Sequence, residues 1–258
     1  MKKICILFVV FLMFSIVGTY AKTGEKYNSP LISQIALLKP YKDISYRLRA
    51  INKLNRSSLN LSQSDKSVVT KYFYGAVRGE DTFLLINCYL RDNLRDYVPS
   101  KEITTPLKHR LKYYADSLSS VISKAKLDQN MLLYSALDEK TVKTLFKGIN
   151  ISDVITKPVN NENLMLLQKN LSGVKYTEKG FITAVYNKNY AKQTKFLFKI
   201  SAPKGLEVVS LDGINDKKTK EVIINQNTKW EVKNISIDNN KKTKKDFYVV
   251  NVKYCIIK

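Results

Sequence analysis

Two adjacent runs, Thr219-Lys220-Glu221-Val222-Ile223-Ile224 and Thr228-Lys229-Trp230-Glu231-Val232, decide how this chain is read. The first sets a carboxylate directly before a short apolar run. In the second, polar Lys229 and Glu231 alternate with apolar Trp230 and Val232, the period of a half-buried strand. The same period of two holds after Gly173, with strands expected at 181–186, 195–201, 207–211, 221–225, 229–237 and 247–257.

Upstream the period changes to that of a helix. Ser62-Gln63-Ser64-Asp65 is a capping-box-like start for a helix running to about Tyr74. Phe83, Ile86, Leu90 and Leu94 share one face of a helix expected over 82–94, and Leu111, Leu118 and Val121 one over 107–124. Shorter helices are expected at 142–146 and 162–171, and near the start at 31–38 and 44–54, split by Pro40. Met131-Leu132-Leu133-Tyr134 reads as a buried strand. Helices first and strands later indicate an α+β fold. No internal repeat is present.

The 258 residues are 44% hydrophobic and 26% charged, a globular composition that excludes disorder, collagen and coiled coil. One long apolar run excludes a polytopic membrane protein. That run, Ile4 to Val17 after Lys2 and Lys3 and before Thr19-Tyr20-Ala21, has the layout of a secretory signal peptide cleaved after Ala21. An uncleaved N-terminal anchor is the alternative. The organisation expected is a signal peptide at 1–21, a linker with helices at 22–54 and one domain at 55–258, secreted and monomeric.

Cleavage removes Cys5 and leaves Cys88 and Cys255. Both fall among apolar residues and read as free buried thiols, although an exported chain can join such a pair. The single His109, between Lys108 and Arg110, reads as a solvated helix position. One His and two Cys build neither a Cys-His catalytic pair nor a multi-His metal site, so no metal is expected. Removing Lys2 and Lys3 from the formal charge of +22 leaves +20, a surface that attracts polyanions; a Lys- and Asn-rich composition explains it equally well. No specific nucleic acid is expected. The densest run, Lys241-Lys242-Thr243-Lys244-Lys245, reads as a hairpin loop.

Four motifs in order then carry a resemblance. They are Leu61-Ser62-Gln63-Ser64-Asp65 with Ile86-Asn87-Cys88-Tyr89-Leu90-Arg91; Asn130-Met131-Leu132-Leu133-Tyr134; Gly180-Phe181-Ile182-Thr183-Ala184-Val185; and Ala202-Pro203-Lys204-Gly205 leading to the two runs quoted first. Over about residues 55–257 the chain resembles the single-domain bacterial ADP-ribosyltransferase toxins, a group that includes Rho-modifying exoenzymes and the enzymatic halves of actin-modifying binary toxins. The resemblance implies one domain with N-terminal helices packed on a two-sheet, mostly antiparallel β core. It implies NAD as cosubstrate and a host protein as acceptor.

In the family a strand carboxylate stabilises the oxocarbenium-like transition state as the nicotinamide–ribose bond breaks. The resemblance puts Glu221 there. It puts Thr219 at the position that orients the acceptor, where the family has Gln or Glu; Thr is no base near neutral pH. Thr183 keeps the first hydroxyl of the family's Ser-Thr-Ser, while Ala184 and Val185 lose the other two. Around NAD the resemblance places Asn87, Arg91, Tyr134, Ser135, Phe181 and Lys192, with Lys195 near the diphosphate as well. Arg91 matches a phosphate-binding helix Arg; a solvated helix-end cation is its other reading. The aromatics stack on NAD or serve as core. Ser135 stands where the family's strand Arg holds the diphosphate. Loss of one charge-assisted contact costs about 1.5–3 kcal/mol, roughly 10- to 150-fold in affinity. Two functions are thus expected in competition: an enzyme of weak or altered activity, and an inactive basic module that binds a polyanion or serves a translocation component as adaptor.

Overall fold

The computed structural model describes residues 52–255 apart from 53, 59, 78–79, 192–193, 215–219 and 241–242. The expected signal peptide, the first N-terminal helix and most of the second, Thr219, Lys192, and Lys241-Lys242 lie outside the described residues. Within them, three capped helices come first. In α1 (Gln63–Tyr74) the Ser62 hydroxyl accepts the Asp65 N–H at 3.1 Å; in α2 (Thr82–Leu90) Asp81 caps Leu84; in α3 (Thr105–Ile122) Thr104 caps Leu107. These caps satisfy amides that the first turn of a helix leaves open. The α3 stripe Leu107, Leu111, Ala115, Leu118 and Ile122 is buried at helical spacing, while His109 is exposed.

A two-residue pair, β1 (Ala76–Val77) with β2 (Glu80–Asp81), joins α1 to α2. Then follow β3 (Met131–Leu137), α4 (Glu139–Leu145), α5 (Ser152–Thr156), α6 (Asn161–Leu171), β4 (Lys175–Glu178), β5 (Ile182–Val185), β6 (Phe196–Ala202), β7 (Val208–Ser210), β8 (Glu221–Ile224), β9 (Thr228–Asn239) and β10 (Asp246–Tyr254). The last eight of these strands, β3 to β10, lie in the order β4-β9-β10-β6-β3-β5-β8-β7. Only β6 with β10 is parallel. The α+β expectation holds. The eight strands form one sheet, and the division expected between two falls at β3 and β5, which share a single ladder rung, Tyr134 opposite Val185.

Two cores result. Trp230, Tyr248, Phe196, Phe198 and Leu133 pack with Phe146, Ile155 and Leu167 of the α4–α6 region. On the other side, α1–α3 close on Phe181, Val209, Leu211 and Ile223.

Three local readings are corrected. The α2 helix ends at Leu90 rather than Leu94. Asp92 adopts a left-handed φ of 59°, Asn93 N–H returns to the Cys88 carbonyl and Asp92 N–H to that of Tyr89, a Schellman stop built without glycine. Strand β4, Lys-Tyr-Thr-Glu, escapes a hydrophobic reading because it is a short edge strand. Helix α5 is too short to show a period. The basic run does connect two antiparallel strands, with Asn240 N–H bonded to the Lys245 carbonyl at 2.9 Å.

Cys88 and Cys255 are both free. Cys88 is buried and Cys255 only partly so, a correction to the expectation of two buried thiols. Burial is the main force pushing the Cys88 thiol up to about 12, with Arg91 pulling weakly the other way. Since thiolate is the reactive form, alkylation at pH 8 read by mass spectrometry should label Cys255 in the folded protein and leave Cys88 unmodified until denaturant is added. Rapid labelling of folded Cys88 would contradict this placement.

Candidate functional site at the sheet seam

The Schellman stop leaves Arg91 at the end of α2, one turn beyond Asn87 on the same face. Both reach the turn between β4 and β5. The Arg91 guanidinium forks onto Glu178, Nε to Oε1 at 2.9 Å and Nη2 to Oε2 at 3.1 Å. The Glu178 side chain is 1% exposed and that of Arg91 12%. Glu178 Oε1 also accepts the Gly180 N–H, and Asn87 Oδ1 accepts the Phe181 N–H, each at 2.7 Å. A Cβ at Gly180 would stand 2.7 Å from Asn87 Oδ1, 3.0 Å from Arg91 Nε and 3.2 Å from Glu178 Oε1. Only glycine fits between these interlocked groups. Burial, then the Glu178 charge, hold the Tyr176 phenol well above its usual range, so it stays neutral.

From this turn β5 enters the seam. Tyr134, Val185 and Glu221 lie in one row across β3, β5 and β8. Thr183 shares that face of β5 and sits diagonally from Glu221, across the Thr183–Ile223 and Val185–Glu221 rungs. Diagonal neighbours lie about 7–8 Å apart, within reach of a long side chain. Ser135 is buried and its hydroxyl donates to the Thr183 carbonyl at 2.7 Å. Where the resemblance places a diphosphate cation, this chain has a staple that ties β3 to β5.

Glu221 is half-buried at the first position of β8. Lys220 before it adopts a left-handed φ of 58°. Its N–H donates to Asp212 Oδ1 at 2.7 Å, and Asp212 Oδ2 accepts the Tyr186 hydroxyl at 2.6 Å.

The structure therefore gathers Glu221, Thr183, Tyr134 and Ser135 at the seam, and Asn87, Arg91 and Phe181 at the turn that feeds it. The two aromatics are packed. Tyr134 lies against Val185 and Leu197, and the Phe181 ring is 1% exposed, tilted against Phe83 at 6.0 Å. For Phe181 the core reading replaces stacking. Lys195 is half-buried and held by Glu139 at 3.1 Å and by the Ile155 carbonyl. Glu178 and Asp212 were not singled out from sequence. Their local signals were an acid two before Gly180 and an acid in Leu211-Asp212-Gly213. Among the described residues no group of three or more His, Cys, Asp or Glu side chains is placed to hold a metal ion.

The chain belongs to the ADP-ribosyltransferase exoenzyme family, whose sequence model matches residues 39–253. Solved structures of such proteins share the fold. C3stau2 from S. aureus, solved with NAD, superposes with a TM-score of 0.59 at 14% identity, over 83% of this chain and 96% of that one. The C3larvin toxin from Paenibacillus larvae gives 0.57 at 20%, over 80% and 94%. BECa of a C. perfringens binary enterotoxin, solved with NADH, gives 0.63 at 16%; 82% of this chain matches 48% of that protein. No curated protein sequence matches.

Removing one partner of a buried ion pair costs about 3–5 kcal/mol. For a domain of this size each kcal/mol lowers Tm by about 2–4 °C. Arg91→Ala should thus lower Tm by about 6–20 °C in thermal unfolding. Gly180→Ala should cost about 1–3 kcal/mol through overpacking. The double change Arg91→Met with Glu178→Leu should recover only part of the loss, because the Gly180 N–H then lacks its acceptor. An Arg91→Ala shift under about 2 °C would mean that the fork does not hold the turn.

Proposed function

We propose that this protein is secreted and transfers ADP-ribose from NAD to a host protein. The observation that carries this reading is the placement of Glu221. It opens β8 beside the seam, in a row with Val185 and Tyr134 and diagonal to Thr183. Two of the similar structures were solved with NAD or NADH, which supports NAD as cosubstrate.

NAD holds its nicotinamide on ribose C1 through an N-glycosidic bond. As that bond lengthens the ribose becomes cationic, and a carboxylate fixed beside it lowers the barrier. Glu221 supplies the charge, and Thr183 a hydroxyl within reach. The nucleophile of the acceptor then takes C1, and nicotinamide leaves with the bonding pair. Two N–H groups of Arg91 are committed to Glu178, and the guanidinium has five. Those remaining can meet a phosphate. The turn thus holds a diphosphate contact already aimed, which limits the ordering needed on binding. Asn87 fixes the backbone of that turn. Lys192 and Thr219 complete the proposed set on the diphosphate and acceptor sides.

A second reading rests on a separate observation. Ser135 holds the seam instead of a phosphate, and Arg91 already faces a carboxylate. Under this reading the fold is an inactive basic module, and its binding to a polyanion weakens with salt.

Calorimetric titration of the purified protein with NAD, followed by measurement of nicotinamide release, separates the two. The enzymatic reading expects binding and slow release. It also expects Glu221→Gln to lower release by about 100-fold or more, in the range typical of a lost electrostatic stabiliser, with NAD affinity little changed. Release that survives Glu221→Gln overturns the role of Glu221. Absence of binding at millimolar NAD overturns the enzymatic reading in favour of the module.

A further inference from the structure

We infer that Asp212 is a positioning residue for Glu221, acting through the backbone of Lys220 and buttressed by Tyr186. This inference rests on the reading of Glu221 as the carboxylate beside the ribose.

The argument begins with strain. Lys220 stands in the left-handed region at φ 58°. A residue with a Cβ avoids that region because the Cβ crowds the following carbonyl oxygen. It persists there only where its surroundings hold it. The holding group is visible: the N–H of Lys220 itself donates to Asp212 Oδ1 at 2.7 Å. A hydrogen bond to an ionised acceptor is about twice as strong as a neutral one. The next residue is Glu221, so the peptide that Asp212 grips sets the direction in which β8 starts. A shift of one residue in a strand would move Glu221 from the Val185 face to the opposite one.

Asp212 is itself anchored on two sides. It lies in the 3₁₀ turn Leu211–Gly213 that follows β7, directly after Leu211, a fully buried residue of the helix-side core. Its Oδ2 accepts the Tyr186 hydroxyl at 2.6 Å. Tyr186 follows Val185, the β5 residue opposite Glu221. One carboxylate therefore ties the residue preceding Glu221 to the residue following its cross-strand partner. The strand that carries the candidate carboxylate and the β5 strand beside it are thus referenced to the same pair of oxygens. Interlocking of this kind suits a group that must be held within about 0.5 Å of its working position.

Three variants test this, each with two readouts. The first is hydrogen exchange at the Lys220 amide, read on peptides spanning 218–224. Asp212→Ala should speed exchange of Lys220 by tenfold or more while Val222–Ile224 stay protected, which shows that the strand remains folded. Tyr186→Phe should give a smaller rise. Asp212→Asn, which keeps an acceptor oxygen without the charge, should give a smaller rise than Asp212→Ala. The second readout is nicotinamide release. Asp212→Ala should lower kcat by about 10- to 100-fold with the KM for NAD within threefold. Asp212→Asn should restore most of the rate, a split that general loss of stability would not produce.

Unchanged Lys220 exchange in Asp212→Ala overturns the inference, and so does unchanged kcat. If the wild-type protein releases no nicotinamide, the proposed function fails on its own. The exchange experiment then still decides whether Asp212 holds Lys220.

Discussion

A guanidinium that has left water must be answered by a carboxylate, and much of the site in this protein is arranged around one such pair. Arg91 and Glu178 meet in a two-bond fork with almost no solvent. Separated, either charge would carry a desolvation penalty of several kcal/mol. The pair therefore pins the end of α2 to the end of β4. The same Glu178 oxygen takes the Gly180 amide, and Asn87 takes the next one. The entry angle of β5, and with it the place of Thr183 and Val185, follows from those contacts.

The charge balance around the seam is notable for where the scarce acids lie. The chain has 44 Lys and Arg against 22 Asp and Glu. Yet Glu178 faces Arg91, Glu139 faces Lys195, Asp238 faces Lys188, and Asp212 receives the Lys220 amide. Several of these acids are half-buried or better, where a pair is worth more than on the open surface. An excess of cations over the whole molecule thus coexists with paired charges at Arg91, Lys188 and Lys195. Ser135 extends the pattern: its neutral hydroxyl makes a hydrogen bond that joins two strands.

Much of the fold was legible in the sequence because its signals are local. Ser62 and Thr104 announce their helices by capping, and the alternation from Lys229 to Val232 announces β9. The end of α2 was not legible. Asp92 takes a conformation usually left to glycine, and its sequence neighbours keep a helical pattern to Leu94. Nor was the Arg91–Glu178 fork, whose members stand 87 positions apart in the chain. No local rule pairs residues at that distance. The motifs brought Glu221, Thr183 and Arg91 forward by residue type. Glu178 and Asp212, which accept from Arg91 and from the Lys220 amide, lack such motifs and emerge only when strands are set side by side.

The position of β10 has a consequence for how the molecule comes into being. This strand is the last of the sheet in chain order, yet it lies inside it, between β9 and β6, and makes the sheet's one parallel pairing. While residues 246–254 remain within the ribosome, β6 and β9 have no partner between them. The larger core, to which β10 gives Tyr248, Val250 and Val252, closes only when this strand is inserted. Closure of such distant pairings is slow, because loop entropy is lost before contacts form.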